Sequence, residues 1–353
     1  MNKRLAVYGA GAIGGQIGSR LTTAGHDVVV IDPWEAHREA IARDGLTIHD
    51  AGRQEAHRPR VISPDDLDSL PGPIDILFLA VKSYDTLSAL ERVRPYLAAE
   101  GLVVSTQNSI NEEQIVPVMG ADRVIGGVIL VNAVLLEPGH VTATQSVSRA
   151  SEGADLPGAY VGECLRPAGD KAREVAAILN DVWASKPIDN LMYERWSKLA
   201  NNTMMNPVSG ISSLRSKLAL GNADSRFIQV HLAAEVMRVA EAEGYRLTKI
   251  LGDYTMEKVF ENAEGKSDSV ERRLAERAAR VSDDATTSLL QDVMRGRKTE
   301  IDYFSGMVSK KGAAHGIPTP YCEAVTDVIH RIETGALKPA PETLQEVYKL
   351  ARD

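Results

Sequence analysis

The chain has 353 residues, 44% hydrophobic and 25% charged, an ordinary globular composition long enough for two domains. Its net charge is −8 with no basic run to offset it, which argues against nucleic acid as a partner. The two cysteines, Cys164 and Cys322, lie far apart, so a reducing cytoplasmic setting is expected rather than a disulfide framework; no signal peptide and no apolar run of membrane-spanning length is seen.

Arg4 to Tyr8 reads as a short buried strand. Gly9, Ala10, Gly11, Ala12, Ile13 and Gly14 follow at once, then a helix from Gln16 to Ala24, a turn at Gly25 and a second strand from Val28 to Ile31. G-x-G-x-x-G is weak alone and strong in this strand–loop–helix–strand setting, where it binds the pyrophosphate of a dinucleotide. Gly9 permits the tight turn, Gly11 lets the pyrophosphate approach, and Gly14 lets helix and strand lie close; the helix N-terminus offers unpaired N–H groups. Asp32 ends the second strand, where a carboxylate accepts from a ribose 2′-OH and repels a 2′-phosphate, favouring NAD over NADP. Asp32 is equally suited to cap a helix near Trp34, with Pro33 at its first position, and Arg38 nearby complicates the cofactor assignment.

Gly45 to Gly52 reads as a hairpin or extended excursion, and Asp75 to Val81 as a central parallel strand that delivers Lys82 to its carboxyl end, the ligand-binding edge of an open sheet. A helix from Tyr84 to Leu97 and a strand from Leu102 to Thr106 follow, bringing Asn108 to the same edge. Lys82 and Asn108 are therefore candidate cofactor or substrate contacts, while Asn111 is placed to cap the next helix. Strands at Val124 to Asn132, Val141 to Gln145 and Ala159 to Gly162, with little helix between them, suggest an antiparallel or mixed extension of the sheet. The polar segment from Ser146 to Pro157 reads as a loop, Gly169 to Trp183 as a helix, and Pro187 to Asp189 as a short strand or linker. The expected organisation is an α/β Rossmann domain over 1–188 followed by an all-α domain over 189–353.

From Leu191 onward no convincing strand is read; helices are expected at Leu218 to Glu243, Lys249 to Asn262, Ser269 to Ala279, Leu289 to Ala314 and Tyr321 to Thr334. Before them, a helix runs to Asn206, with Pro207 expected to end or bend it. Lys198, Asn202 and Asn206 recur every four residues and share one helical face. A solvated polar face is the bland alternative, but asparagine is a poor helix former, and a lysine in an apolar setting has a lowered pKa and can exchange a proton. Ser288 and the Glu300/Asp302 pair lie in two further polar segments, and spacing does not choose between the two carboxylates. His315, beside Gly316, suits capping or packing. No metal-ligand spacing occurs.

Four stretches resemble the ketopantoate reductase (2-dehydropantoate 2-reductase) family: Gly9 to Gly14; Leu79 to Lys82; Lys198 to Pro207; and Ser288 to Asp292 with Thr299 to Tyr303 and Ala314 to Ile317. The resemblance covers nearly the whole chain and implies a Rossmann domain, a helical domain, frequent dimers, and NADPH-linked reduction of a 2-keto acid. It implies that Lys198 is the general acid and that Glu300, rather than Asp302, is the carboxylate near the reacting carbon. Asn108, Asn202, Asn206 and Ser288 resemble the groups that hold the substrate. Two departures stand out: Asp32 occupies the family's usual basic position, and Ser109, where glycine is frequent, follows Asn108. The first favours NAD and a small 2-keto or 2-hydroxy acid or related alcohol as substrate. The alternatives are an NADPH-dependent 2-dehydropantoate 2-reductase and, outside enzymes, a dinucleotide-sensing binding protein.

Overall fold

The computed structural model describes residues 3–50, 52–143, 157–247, 249–250 and 254–352. The expected loop from Ser146 and the end of the strand expected at Gln145 lie outside the described residues, except Pro157. Two compact units are present, Met1–Glu194 and Arg195–Asp353.

In the first unit the chain runs β1 (Arg4–Tyr8), α1 (Ala12–Thr23), β2 (Asp27–Ile31), α2 (Glu35–Asp44), β3 (Leu46–Asp50), β4 (Arg53–His57), β5 (Arg60–Ile62) and β6 (Ile74–Leu79). It continues through α3 (Thr86–Val93), β7 (Leu97–Ser105), α4 (Glu112–Met119), β8 (Val124–Ile129), β9 (Ala133–Glu137), β10 (His140–Ala143), β11 (Ala159–Glu163), α5 (Asp170–Leu179) and β12 (Ser185–Pro187). The main sheet has eight strands in the order β12-β11-β8-β7-β6-β1-β2-β5. Its six consecutive parallel strands, from β5 to β8, follow the doubly wound order, with the switch point between β1 and β6. β11 then pairs antiparallel with β8, as the strand-rich sequence suggested.

Alternation along these strands feeds two cores. Leu5, Val7, Val30, Phe78 and Val104 face α1 and α5, while Ala6, Tyr8, Val29, Leu77 and Val103 face α3 and α4. A second sheet, in the order β4-β3-β10-β9, was not foreseen. The hairpin read at Gly45 forms its first arm. The strand expected from Val124 to Asn132 ends at Ile129, and the chain re-enters as β9, because one apolar run spans a strand, a reversal and the next strand. The helix expected from Tyr84 to Leu97 is confined to Thr86–Val93, with 3-10 turns on either side.

The second unit begins within α6 (Leu191–Ser212) and continues with α7 (Ser216–Gly221), α8 (Ala223–Ala242), β13 (Lys249–Ile250), β14 (Tyr254–Thr255), α9 (Met256–Ala263) and α10 (Ser269–Ala278). Then come α11 (Ser288–Met294), α12 (Ser305–Ala314), α13 (Pro320–Glu333) and α14 (Leu344–Leu350). α8 is buried on nearly every side and packs against α7, α9, α10, α12 and α13. The absence of strands expected here is corrected by β13 and β14, a pair too short to leave a two-residue period in sequence. Two long helices are also divided. Asn222, extended at φ −83° and ψ 130°, caps α8 by accepting from Ser225 N–H at 2.9 Å. α11 stops at a left-handed Gly296, φ +60°, with Arg297 N–H on the Asp292 carbonyl at 2.9 Å. Pro207 does not end α6, which continues to Ser212 because the tertiary packing of Val208 and Ile211 carries the helix on past the missing N–H.

No helix among the described residues is long and apolar enough to cross a membrane, and no cluster among them could hold a metal ion.

Candidate active site

The first unit brings Gly9 to Gly14, Asp32, Lys82 and Asn108 to the carboxyl edge of the parallel sheet. Gly9 turns at φ +98°, and a Cβ there would lie 2.9 Å from the Ala80 carbonyl carbon. A Cβ on Gly14 would lie 1.9 Å from the Gly9 carbonyl oxygen, so the loop folds only around glycine there. The close approach of α1 to β2 itself falls at Gly18, whose Cβ would lie 2.5 Å from Val30 Cγ2; sequence reading assigned that approach to Gly14 alone. A Cβ on Gly11 would meet nothing within 4 Å, no side chain caps α1, and no acid stands in its first turn. Space, unpaired N–H groups and helix dipole thus fit a dinucleotide pyrophosphate.

Asp32 is buried, and both its oxygens are in use: Oδ2 accepts from Ala10 N–H at 2.6 Å and Oδ1 from Trp34 N–H at 2.8 Å. It therefore steadies the approach to α2. Pro33 does not occupy the first helical position, because Asp32 turns the chain before Trp34 and α2 begins at Glu35. Arg38 is drawn to the same strand end, donating to the Asp32 carbonyl at 2.8 Å.

Lys82 and Asn108 follow β6 and β7. Their loops are tied by Gln107, which donates to the Val81 carbonyl at 3.0 Å and to Thr86 Oγ1 at 2.8 Å. Asn111 stands at the start of α4, but its side chain does not cap it. Its Nδ2 donates instead to the Asn108 carbonyl at 2.5 Å and to Ser83 Oγ at 3.1 Å. Ser109 adopts φ +70°, the left-handed region that glycine enters freely.

In the second unit Lys198, Asn202 and Asn206 share one face of α6. Leu199, Met204, Val208 and Ile211 fill the core from its other sides. Lys198 is half-buried, and its ammonium falls from 10.5 to about 7: burial is the main cause, the Arg195 charge lowers it further, and Glu300 pulls it back up. Arg195, a buried residue one turn earlier, was missed by sequence reading; its spacing of three from Lys198 was the available signal. Asn202 Nδ2 is buried without a hydrogen-bond partner.

Glu300 is buried, whereas Asp302 reaches the surface and pairs with His330 at 2.9 Å. Glu333 secures the preceding residue, accepting from Thr299 N–H at 2.7 Å. Ser288 opens α11, which meets α6 closely: a Cβ on Gly210 would lie 2.2 Å from Leu289 Cδ2. His315 ends α12 and pairs with Glu243 at 2.7 Å.

A glycine loop at the carboxyl edge of a parallel sheet, followed by a helical unit, suits a nicotinamide-dependent oxidoreductase, and the chain is one that acts on CH–OH groups. Residues 5–150 match the model "Ketopantoate reductase PanE/ApbA" and residues 190–333 match "Ketopantoate reductase PanE/ApbA C terminal", so the chain belongs to the ketopantoate reductase family. A 2-dehydropantoate 2-reductase of Archaeoglobus fulgidus is 28% identical over 94% of this chain and 99% of its own length. A PanE/ApbA family ketopantoate reductase structure from Ralstonia eutropha JMP134 superposes with TM-score 0.75 at 26% identity, covering 94% of this chain and 99% of the other. D-mandelate dehydrogenase with NADH and anilino(oxo)acetate superposes with TM-score 0.77 over 94% of this chain and 99% of that one; at 22% identity it speaks for the fold.

Proposed function

We propose that this enzyme interconverts a small 2-keto acid and its 2-hydroxy acid, with Lys198 as the proton-exchanging residue. The observation that carries this reading is the Lys198 ammonium lowered to about 7 on the stripe that also bears Asn202 and Asn206. A proton donor near neutrality is well matched to ketone reduction and to its reverse. As hydride reaches the carbonyl carbon, Lys198 gives its proton to the oxygen; in oxidation it takes the hydroxyl proton. Asn202, Asn206 and Ser288 offer neutral partners to the carboxylate and hydroxyl groups of the substrate, with Glu300 beside the reacting carbon. Gly9 to Gly14 hold the cofactor pyrophosphate, and Lys82 and Asn108 contact cofactor or substrate from the sheet edge. The enzyme works as a homodimer in the cytoplasm.

NAD is the proposed cofactor. Asp32 puts a carboxylate at the end of β2, and the shallow groove lined by Arg38, Glu39, Asp65, Asp66 and Asp68 is dominated by acids. The second reading, NADPH-dependent reduction of 2-dehydropantoate, is favoured by the name of the Archaeoglobus relative. Turnover of ketopantoate and a panel of 2-keto acids with NADH and NADPH tests both. Preference for NADH on another keto acid supports the first reading, and efficient ketopantoate reduction with NADPH overturns it in favour of the second. Lys198→Ala should abolish turnover with cofactor binding retained; turnover within a few-fold of wild type removes Lys198 from the proton-transfer role.

A further inference from the structure

We propose that His37 is a positioning residue for the cofactor loop, forming with Asp32 a two-sided clamp on Ala10. The proposal rests on the reading that Gly9 to Gly14 bind the cofactor pyrophosphate. His37 is fully buried in α2, and Trp34 stacks against its ring at 5.4 Å. Gly139 N–H, from the turn between β9 and β10, donates to His37 Nδ1 at 2.9 Å. That leaves Nδ1 as the acceptor and puts the ring proton on Nε2, which lies 2.9 Å from the Ala10 carbonyl and donates to it. Asp32 Oδ2 meanwhile holds the Ala10 N–H at 2.6 Å.

Both polar groups of Ala10 are thus held by side chains rather than by regular secondary structure. The consequence follows from peptide planarity. The Ala10 carbonyl turned toward His37 sends the Gly11 N–H of the same trans peptide the opposite way. Asp32 fixes the preceding peptide plane in the same manner. Two successive planes of the phosphate loop are therefore set before any ligand arrives, so less ordering is lost on binding. Because Gly139 lies in the turn that joins β9 and β10 of the second sheet, His37 also links that sheet to the loop.

The test compares full-length His37→Phe and His37→Gln with wild type, measuring NADH and NADPH affinity by calorimetry and kcat at saturating cofactor. Phe keeps a flat ring and loses both hydrogen bonds. Gln can donate to the Ala10 carbonyl and accept from Gly139 N–H. The Phe variant should bind the preferred cofactor about tenfold more weakly, with kcat within about twofold of wild type, as a loss confined to binding implies. The Gln variant should recover to within about threefold of wild-type affinity, as a restored donor and acceptor imply. Wild-type affinity in the Phe variant, or a Gln variant as weak as Phe, overturns the clamp. Should the Phe variant not fold, nitrogen NMR of the wild-type ring decides: an Nε2–H tautomer supports the clamp, and an Nδ1–H tautomer overturns it. A wild-type chain that binds neither dinucleotide overturns the underlying cofactor reading instead.

Discussion

Lys198 should cost this protein stability, and replacing it with methionine exposes how much. Its ammonium titrates at about 7 in the folded chain against an ordinary value of 10.5. That difference corresponds to about 4–5 kcal/mol against the charged form in the folded state. The sign is fixed by proton counting. Below about pH 7 folded and unfolded chains both carry the proton, and the full cost is present. Between about 7 and 10.5 the unfolded chain keeps a proton that the folded chain has released, so wild-type stability rises with pH. At pH 7 about 4 kcal/mol of the cost remains. Lys198→Met removes this titration while keeping an unbranched apolar side chain. The gain at pH 7 falls short of the full figure because Glu300 loses an attractive partner. Chemical unfolding followed by circular dichroism between pH 6 and 9 reads the outcome. The stability advantage of Lys198→Met should hold nearly constant up to about pH 7 and shrink steadily above it. Parallel curves for wild type and variant would refute the argument, whatever their offset, because packing effects are independent of pH.

Gly11→Ala should fold with wild-type stability, since its Cβ meets nothing within 4 Å, yet lose most dinucleotide affinity; Gly14→Ala should lose both, and equal behaviour of the two in calorimetry and thermal melts would contradict the glycine assignments. Ser109→Gly should stabilise the protein by roughly 1 kcal/mol by relieving the left-handed backbone at φ +70°, and a lower melting temperature would show that the Ser109 side chain matters more than its backbone. Asp32→Asn should raise the relative kcat/KM for NADPH over NADH by removing the charge; an unchanged ratio, with cofactor affinity intact, would leave the acidic groove alone to explain any NAD preference.

The parallel sheet was legible because its strands are continuous apolar runs and its first loop carries glycines that only one geometry uses. The second sheet was not, because β4, reading Arg-Gln-Glu-Ala-His, is polar and β3 takes its other partner, β10, from a distant segment. In the helical unit the period gave the helices, but the cuts between them rest on single residues, Asn222 and Gly296, that look like tolerated interruptions until the backbone is seen. The stripe of three polar residues at four-residue spacing, Lys198, Asn202 and Asn206, was visible in sequence. Arg195 was not singled out, since a buried arginine beside a lysine runs against the expectation that like charges avoid each other. His37 was invisible for a different reason: its partners, Ala10 and Gly139, contribute only backbone, which has no sequence signature.

Two groups in the helical unit, half-buried Lys198 and buried Glu235, have values shifted to about 7, and geometry separates their roles. Burial raises Glu235 from 4.5 to about 7, against the pull of the Tyr321 and Cys322 N–H groups. Those N–H groups, at the start of α13, donate to its two carboxylate oxygens at 2.9 and 2.8 Å. Glu235 therefore supplies from α8 the cap that Thr319, whose side chain donates to Glu323, does not. Lys198 instead shares its face with Asn202, whose buried Nδ2 has no hydrogen-bond partner, an arrangement that fits the proposed substrate contact. A shifted pKa alone would nominate both. The raised Glu235 value favours the folded state below about pH 4.5 and loses that contribution as pH climbs through 7, so Glu235→Gln should flatten the stability profile over that range. It should leave the pH dependence of turnover intact. If Lys198 exchanges the proton as proposed, reduction should decline, and oxidation rise, as pH passes about 7. A Glu235→Gln variant whose reduction limb moves, measured as kcat against pH, would transfer the proton-exchange role away from Lys198.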